Sequence, residues 1–341
     1  MHETAAASFT GLVDLVAAEF GGRALGTSDD FFASCENLIL PGRGEFIPDK
    51  FTDRGKWMDG WESRRRRGEG YDFCVLALGS AGHVLGLDID TNHFNGNHPQ
   101  FASVEGVHAP ANASFESLSA MRWTELLAQA PLRPTAQNLF PANPIGPVTH
   151  LRLNIFPDGG VARFRAYGRV VPDWGMQDVD ADTSTHVAPG AVDLAALRNG
   201  AVALACSDAR FGPMNNLLLP GRAANMGGGW ETRRSRQPNQ DWIVVQLGAR
   251  GRAQVVEVDT NHFKGNYPDR CSIEAIDAPD ARITDLIRSK SWHTLVAETK
   301  LNAHTRHFFE HLPSLPASHL RLNIFPDGGV SRLRVWGQRE P

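Results

Sequence analysis

Along residues 151–156, apolar Leu151, Leu153 and Ile155 alternate with Arg152, Asn154 and Phe156, the two-residue period of a half-buried strand. Pro157-Asp158-Gly159-Gly160 then supplies a fixed φ followed by residues that tolerate positive φ. Alternation resumes with Ala162, Phe164 and Ala166 against Arg163 and Arg165. The pattern predicts a hairpin with its apolar side on a core. Its other side would carry Arg152, Asn154, Arg163 and Arg165 together. Further strands are predicted over 73–78, ending at a turn at Gly79, and over 83–89. Their counterparts are 242–247, ending at Gly248, and 253–258. Short strands punctuated by Gly, Pro and Asn point to an antiparallel sandwich. Helical signal is sparse: a leading helix over 9–20, and one per half over 117–129 and 291–298, carrying Trp123 and Trp292.

The pattern is a duplication. The twelve residues 150–161 recur unchanged at 319–330, a shift of 169. At the same shift Asp90-Thr91-Asn92-His93-Phe94 matches Asp259-Thr260-Asn261-His262-Phe263, and Gly60-Trp61-Glu62 matches Gly229-Trp230-Glu231. Upstream the shift lengthens to 179, with Pro41-Gly42-Arg43 against Pro220-Gly221-Arg222, so the first copy carries ten additional residues between Arg43 and Gly60. A period this long is two domains rather than a solenoid. The expected division is a first repeat over 1–169, a Pro- and Asp-containing linker over 170–189, and a second repeat over 190–341.

Composition narrows the classes. With 341 residues, 42% hydrophobic and 21% charged, the chain has the profile of a soluble globular protein. A net charge of −4 offers no general attraction to nucleic acid or an anionic membrane, and the run from Arg64 to Arg67 is read as a solvated or ion-paired loop rather than a nucleic-acid patch. No apolar run approaches a membrane span, and the N-terminus lacks the order of a signal peptide. Cys35, Cys74, Cys206 and Cys271 form no CxxC and are not duplicated, so reduced thiols and a cytoplasmic location are expected.

Three constellations can carry chemistry. The first is Asp90, Asn92, His93 and Asn97 with its twin Asp259, Asn261, His262 and Asn266, each following a strand end. The competing explanation is an Asx turn that caps the loop backbone. Asp88-x-Asp90-x-Asn92 resembles the start of a calcium loop but lacks the following Gly and the closing Glu. The second is Glu62 or Glu231, flanked by Trp and two Arg, as a tuned acid or base or as a salt-bridged structural Glu. The third is the Arg face of the hairpin, a natural clamp for a carboxylate, with cross-strand polar decoration as its alternative. No GxSxG, HExxH, P-loop or GxGxxG occurs.

The phrases Gly42-Arg43-Gly44, the stretch 55–65, Asp90-Thr91-Asn92-His93-Phe94 with Gly96-Asn97, Leu151-Arg152-Leu153-Asn154 with Pro157-Asp158-Gly159-Gly160, and 28–33 together resemble the allantoicase (allantoate amidinohydrolase) family, over nearly the whole chain. The resemblance implies an all-β fold of two tandem jelly-roll sandwiches of galactose-binding-like topology. It implies a hydrolase of linear amidines that converts allantoate to ureidoglycolate and urea in purine degradation. That chemistry needs an acid for the leaving nitrogen, a base, and a clamp for the carboxylate. Glu62 or Glu231 and His93 or His262 are assigned to proton transfer, with Asp90 or Asp259 orienting the histidine or binding ureido N–H groups. Arg64 or Arg233, with Arg152 or Arg321, would hold the carboxylate. Trp61, Trp230, Asn97, Asn266, Asn154 and Asn323 complete the expected contacts. A divalent metal such as Mn²⁺ stays open as a cofactor. The partner expected is a small molecule, in a homo-oligomer. The alternatives are a metal-dependent hydrolase of another ureido compound and a carbohydrate-binding jelly roll.

Overall fold

The computed structural model describes residues 9–235 and 240–340. The chain divides between Val171 and Pro172 into two compact units, and each contains one copy of the repeat. In the first unit the strands are β1 (Val13–Asp14), β2 (Arg23–Thr27), β3 (Phe51–Thr52), β4 (Gly55–Lys56), β5 (Trp61–Glu62), β6 (Asp72–Asp90), β7 (Phe101–Val107), β8 (Thr124–Pro131), β9 (Gln137–Pro141), β10 (Val148–Phe156), β11 (Gly160–Val161) and β12 (Arg163–Val170). The second unit repeats them as β13 (Val192–Asp193), β14 (Val202–Cys206), β15 (Trp230–Glu231), β16 (Asp241–Asp259), β17 (Arg270–Ile276), β18 (His293–Lys300), β19 (Arg306–Phe309), β20 (Pro316–Phe325), β21 (Gly329–Val330) and β22 (Arg332–Arg339). The β3–β4 hairpin lies in the insert of the first copy.

The sandwich is organised by one long strand per unit. The first half of β6 pairs with β2 and β10, and β10 continues to β7 and β8. The second half pairs with β9 and β12, and β12 continues to β1. All these pairings are antiparallel, and β16 repeats the arrangement. Each long strand therefore passes from one layer to the other, which makes the unit an all-β jelly-roll sandwich. Leu76, Leu87, Ile89, Leu151, Leu153, Ile155 and Phe164, all fully buried, fill the space between. Each such side chain contributes about 1.5–3 kcal/mol by leaving water.

Several expectations are corrected. The strands around Pro157-Asp158-Gly159-Gly160 are not a hairpin, because β10 and β12 both pair with β6 and lie on its two halves. The turn crosses between layers, so Arg152 and Asn154 do not share a face with Arg163 and Arg165. Gly79 and Gly248 do not end strands. A Cβ on Gly79 would meet the Phe20 carbonyl oxygen at 2.3 Å, and one on Gly248 would meet that of Asn199 at 2.1 Å. These glycines let a preceding turn lie against an unbroken strand. The leading helix is replaced by β1 and a 3-10 turn at Ala18–Phe20. The other two predicted helices are strands β8 and β18, each preceded by a short helix, α1 (Phe115–Ser119) and α2 (Ile283–Arg288). Pairing with β7 and β17 satisfies these backbones and overrides local propensity.

The stretch read as a linker packs on the second unit. Thr183 is buried, Gln177 Oε1 accepts from the Asp193 N–H at 2.8 Å, and Asp180 and Asp182 pair with Arg306 at 3.0 Å. Among the described residues, no helix is long and apolar enough to cross a membrane.

Candidate active site

Three repeated loops converge at one end of the second unit. The first is the end of β15 and the segment after it, with Glu231 and Arg234. The second is the loop after β16, with Asn266 and Tyr267. The third is the crossover turn, with Asp327 and Gly328. Together they line a cleft of about 410 Å³. The packing beneath explains the glycine pairs. A Cβ on Gly329 would meet the Phe263 ring at 1.9 Å, and on Gly160 the Phe94 ring at 1.9 Å. Both rings are fully buried. The Gly329 N–H donates to the Asn266 carbonyl at 2.9 Å, and Gly160 to Asn97 at 2.8 Å. The turn and the Asn loop are thereby fixed to each other.

Within the cleft Asn266 Nδ2 donates to Glu231 Oε1 at 2.5 Å, and in the first unit Asn97 Nδ2 donates to Glu62 Oε1 at 2.7 Å. Burial raises the Glu62 carboxyl above the usual glutamate range, and the Asn97 donor only partly offsets it. Such a group holds its proton more readily than a solvated carboxylate, which suits a general acid. The turn aspartates are anchored as well: Asp327 Oδ2 accepts from the Ser235 N–H at 2.6 Å, and Asp158 Oδ2 from the Arg66 N–H at 2.8 Å.

Of the first constellation only Asn97 and Asn266 join this site; Asp259 lines another cleft. Asp90 is buried at the end of β6 and receives Arg43 Nε at 2.7 Å and Nη2 at 2.9 Å. Its Oδ1 also accepts the Asn92 N–H at 2.9 Å, an Asx turn, while Asn92 Nδ2 donates to the Arg43 carbonyl at 3.1 Å. Arg222, Asp259, Asn261 and Ala223 repeat this. Asp259 lines a different cleft of about 350 Å³ with Arg222, Glu257, Arg306 and Arg332, covered by residues from 177–183. His93 and His262 occupy the left-handed turn position, with φ of 67° and 69°. His262 Nε2 faces the Ala223 carbonyl at 2.9 Å, and the His93 ring lies 5.6 Å from that of Phe46. Among the described residues, neither histidine hydrogen-bonds to Glu62 or Glu231.

Other candidates are relocated too. Trp61 and Trp230 are fully buried, and their indole N–H groups donate to the Asp29 and Asp208 carbonyls at 2.8 and 2.9 Å. They are core side chains, not substrate contacts. Arg64 pairs with Asp29 at 2.6 Å and Arg233 with Asp208 at 3.4 Å. Arg152 pairs with Glu105 at 2.7 Å and lies over Trp123 at 5.1 Å; Arg321 pairs with Glu274 at 2.7 Å and lies over Trp292 at 5.0 Å. Asn154 and Asn323 donate to the same glutamates at 2.9 Å. These clusters lock sheet to sheet-covering segment. The cleft residues that sequence reasoning missed, Arg234, Asp327 and Tyr267, stand directly beside the chosen ones. For Arg234 and Asp327 the signal available was their identity with Arg65 and Asp158. Among the described residues, no group of three or more His, Cys, Asp or Glu side chains is placed to hold a metal ion.

Comparison with known proteins joins the two repeats to one family. The allantoicase repeat model matches residues 13–171 and again 192–340. A probable allantoicase of Burkholderia mallei is 46% identical over 328 residues, covering 95% of this chain and 94% of that one. A probable allantoicase of Photobacterium profundum is 46% identical over 336 residues, covering 97% and 98%. The crystal structure of allantoicase from Saccharomyces cerevisiae superposes with a TM-score of 0.79 at 39% identity, covering 96% of this chain and 93% of that chain. Matched in both repeats and along almost its whole length, the chain belongs to the allantoicase family.

Proposed function

We propose that the protein is an allantoicase, hydrolysing allantoate to ureidoglycolate and urea in the degradation of purine-derived allantoin. One observation carries the reading: the family model matches both repeats, 13–171 and 192–340. The cleft geometry supports it. Allantoate has a central carbon bearing a carboxylate and two ureido groups. The lone pair of one ureido nitrogen expels the other as Glu62, or Glu231 in its own repeat, gives that leaving nitrogen a proton. Urea departs and leaves an N-acyliminium, the remaining ureido nitrogen still carrying its own proton. The same glutamate, now a carboxylate, takes a proton from water as its oxygen adds to the carbon, which forms ureidoglycolate. Asn97 and Asn266 hold the glutamate oxygen in place from 2.7 and 2.5 Å. Asp158 and Asp327 offer acceptors for urea N–H groups. In this scheme Asp90 and Asp259 position their loops through the arginine pairs, and His93 and His262 shape the turns.

We further propose a cytoplasmic enzyme, supported by four free thiols, and a homo-oligomer, supported by exposed Phe46, Ile47 and Phe51 on the insert of the first repeat. The test of function is to incubate the protein with allantoate before and after EDTA and to measure urea and ureidoglycolate separately. Equal amounts of both products establish the reaction. Survival after EDTA supports proton transfer by the glutamate without a metal, and loss restored by Mn²⁺ brings a metal into the scheme. No urea under either condition sinks the allantoicase reading in favour of another ureido substrate or a binding module.

A further inference from the structure

An anionic substrate approaching Glu231 and Asp327 needs a cation in reach, because two carboxylates in one cleft repel a third. The arginines first considered for this are engaged by the protein's own acids: Arg64 with Asp29, Arg233 with Asp208, Arg152 with Glu105 and Arg321 with Glu274. Arg66 is engaged by Asp72 at 2.5 Å. Arg65 and Arg234, in the same motif, differ. Both are exposed, and among the described residues neither has a hydrogen-bond or ion-pair partner. Arg234 lines the cleft with Glu231, Asn266 and Asp327.

The duplication sharpens this contrast. Around the motif the two copies have drifted, with Ser63 against Thr232, Arg66 against Ser235 and His98 against Tyr267, yet Arg65 and Arg234 are the same residue. No contact within the fold accounts for that identity, whereas a contact with a ligand does. A guanidinium presents two parallel N–H donors that fit a carboxylate, and its planar fork is not reproduced by lysine.

We propose that Arg234 is the carboxylate clamp of the cleft at Glu231, and that Arg65 holds the same place beside Glu62 in the first repeat. Each grips the carboxylate of a ureido acid and so turns the C–N bond to be broken toward Glu62 or Glu231. This rests on the allantoate reading, and the test separates the two. Hydantoate (N-carbamoylglycine) and its neutral carboxamide are titrated calorimetrically into the wild type, R65A/R234A and R65K/R234K, and allantoate turnover is measured on the same samples. The double alanine variant is expected to raise KM for allantoate about 10- to 100-fold, the range of losing a charge-assisted hydrogen-bond pair, with a smaller change in kcat. Its preference for hydantoate over the carboxamide should fall close to one. The lysine variant should recover only part. The single variants R65A and R234A identify which repeat turns over. Wild-type KM and wild-type preference in R65A/R234A overturn the proposal. If the wild type releases no urea from allantoate but prefers hydantoate through these arginines, the clamp stands and the substrate reading falls. If it shows neither turnover nor preference, both fall.

Discussion

Asp90 divides a positioning role from a catalytic one, and replacing it by alanine gives opposite results under the two. Its side chain is 2% exposed, while that of Arg43 is 49% exposed. The substitution removes two guanidinium bonds of 2.7 and 2.9 Å and the 2.9 Å cap on the Asn92 N–H. Breaking a fully buried pair costs about 3–5 kcal/mol. Arg43 can rehydrate, which lowers that part to about 2 kcal/mol, and losing the cap adds about 1 kcal/mol. The total of about 3 kcal/mol corresponds to a fall in Tm of roughly 6–12 °C for a domain of this size. Scanning calorimetry should show that fall in one transition, while urea release at about 15–20 °C stays within about threefold of wild type, since the start of the loop loosens but the Gly160 N–H still holds the Asn97 carbonyl at 2.8 Å. D90A that melts with the wild type and has lost kcat by about a thousandfold would place Asp90 at the reacting atoms and refute the argument.

E62Q and E231Q, made singly and together, are expected to leave melting unchanged and, in the double variant, to lower kcat about 10²- to 10⁴-fold; full turnover in E62Q/E231Q removes the acid assignment. G160A and G329A put a Cβ at 1.9 Å from the rings of Phe94 and Phe263, so each should lower Tm and weaken hydantoate binding in its own repeat. Burial pushes the Asp88 carboxyl up to about 6 despite the Gln137 donor. A folded value above the unfolded one means the charged form destabilises the fold above pH 6, and that cost is relieved as pH falls from about 6 toward 4. D88N should therefore raise Tm at pH 8, with an upper bound of about 3 kcal/mol, and change it little at pH 4; an equal gain at both pH values contradicts this.

The strands that build the core were legible because alternation is a direct consequence of one buried face. Leu151, Leu153 and Ile155 are all fully buried, as their spacing requires. What pairs with them was not legible. Period two is the same whether β10 returns on β12 or both flank β6, so the crossover read as a hairpin. The glycines misled for a related reason. Gly79 looks like a turn in sequence, but its role is to admit the Phe20 carbonyl against a continuous strand, a contact with no local signature. The 117–129 window has acceptable helix formers, and only the unpaired edge of β7 makes it a strand. The loops of the site were legible as phrases but not as a site: Asp259 and Glu231 look equally suited to chemistry until Arg222 is found to occupy one and the cleft of Asn266 and Asp327 to reach the other.

The duplication reports which positions are constrained, and the structure separates the constraints by what each side chain touches. Trp61 and Trp230, Gly160 and Gly329, and Asp90 and Asp259 are identical between copies, and each is fully accounted for by an indole bond, a ring against a backbone or a bidentate arginine. Among the described residues the side chains of Glu62 and Glu231 each retain one hydrogen-bond partner, an asparagine, and Glu231 lines the cleft. Arg65 and Arg234 have none among the described residues. Identity that packing explains needs no substrate. Identity that survives where packing explains nothing does, and Arg234, which is such a position among the described residues, lines the cleft at Glu231 and not the one at Asp259. The cleft at Asp259 is closed by pairs that answer one another, Arg222 with Asp259 and Arg306 with Glu257. The cleft at Glu231 holds a cation with no partner among the described residues, beside a carboxyl and an acceptor, the complement of a molecule with a carboxylate, a leaving nitrogen and urea N–H groups.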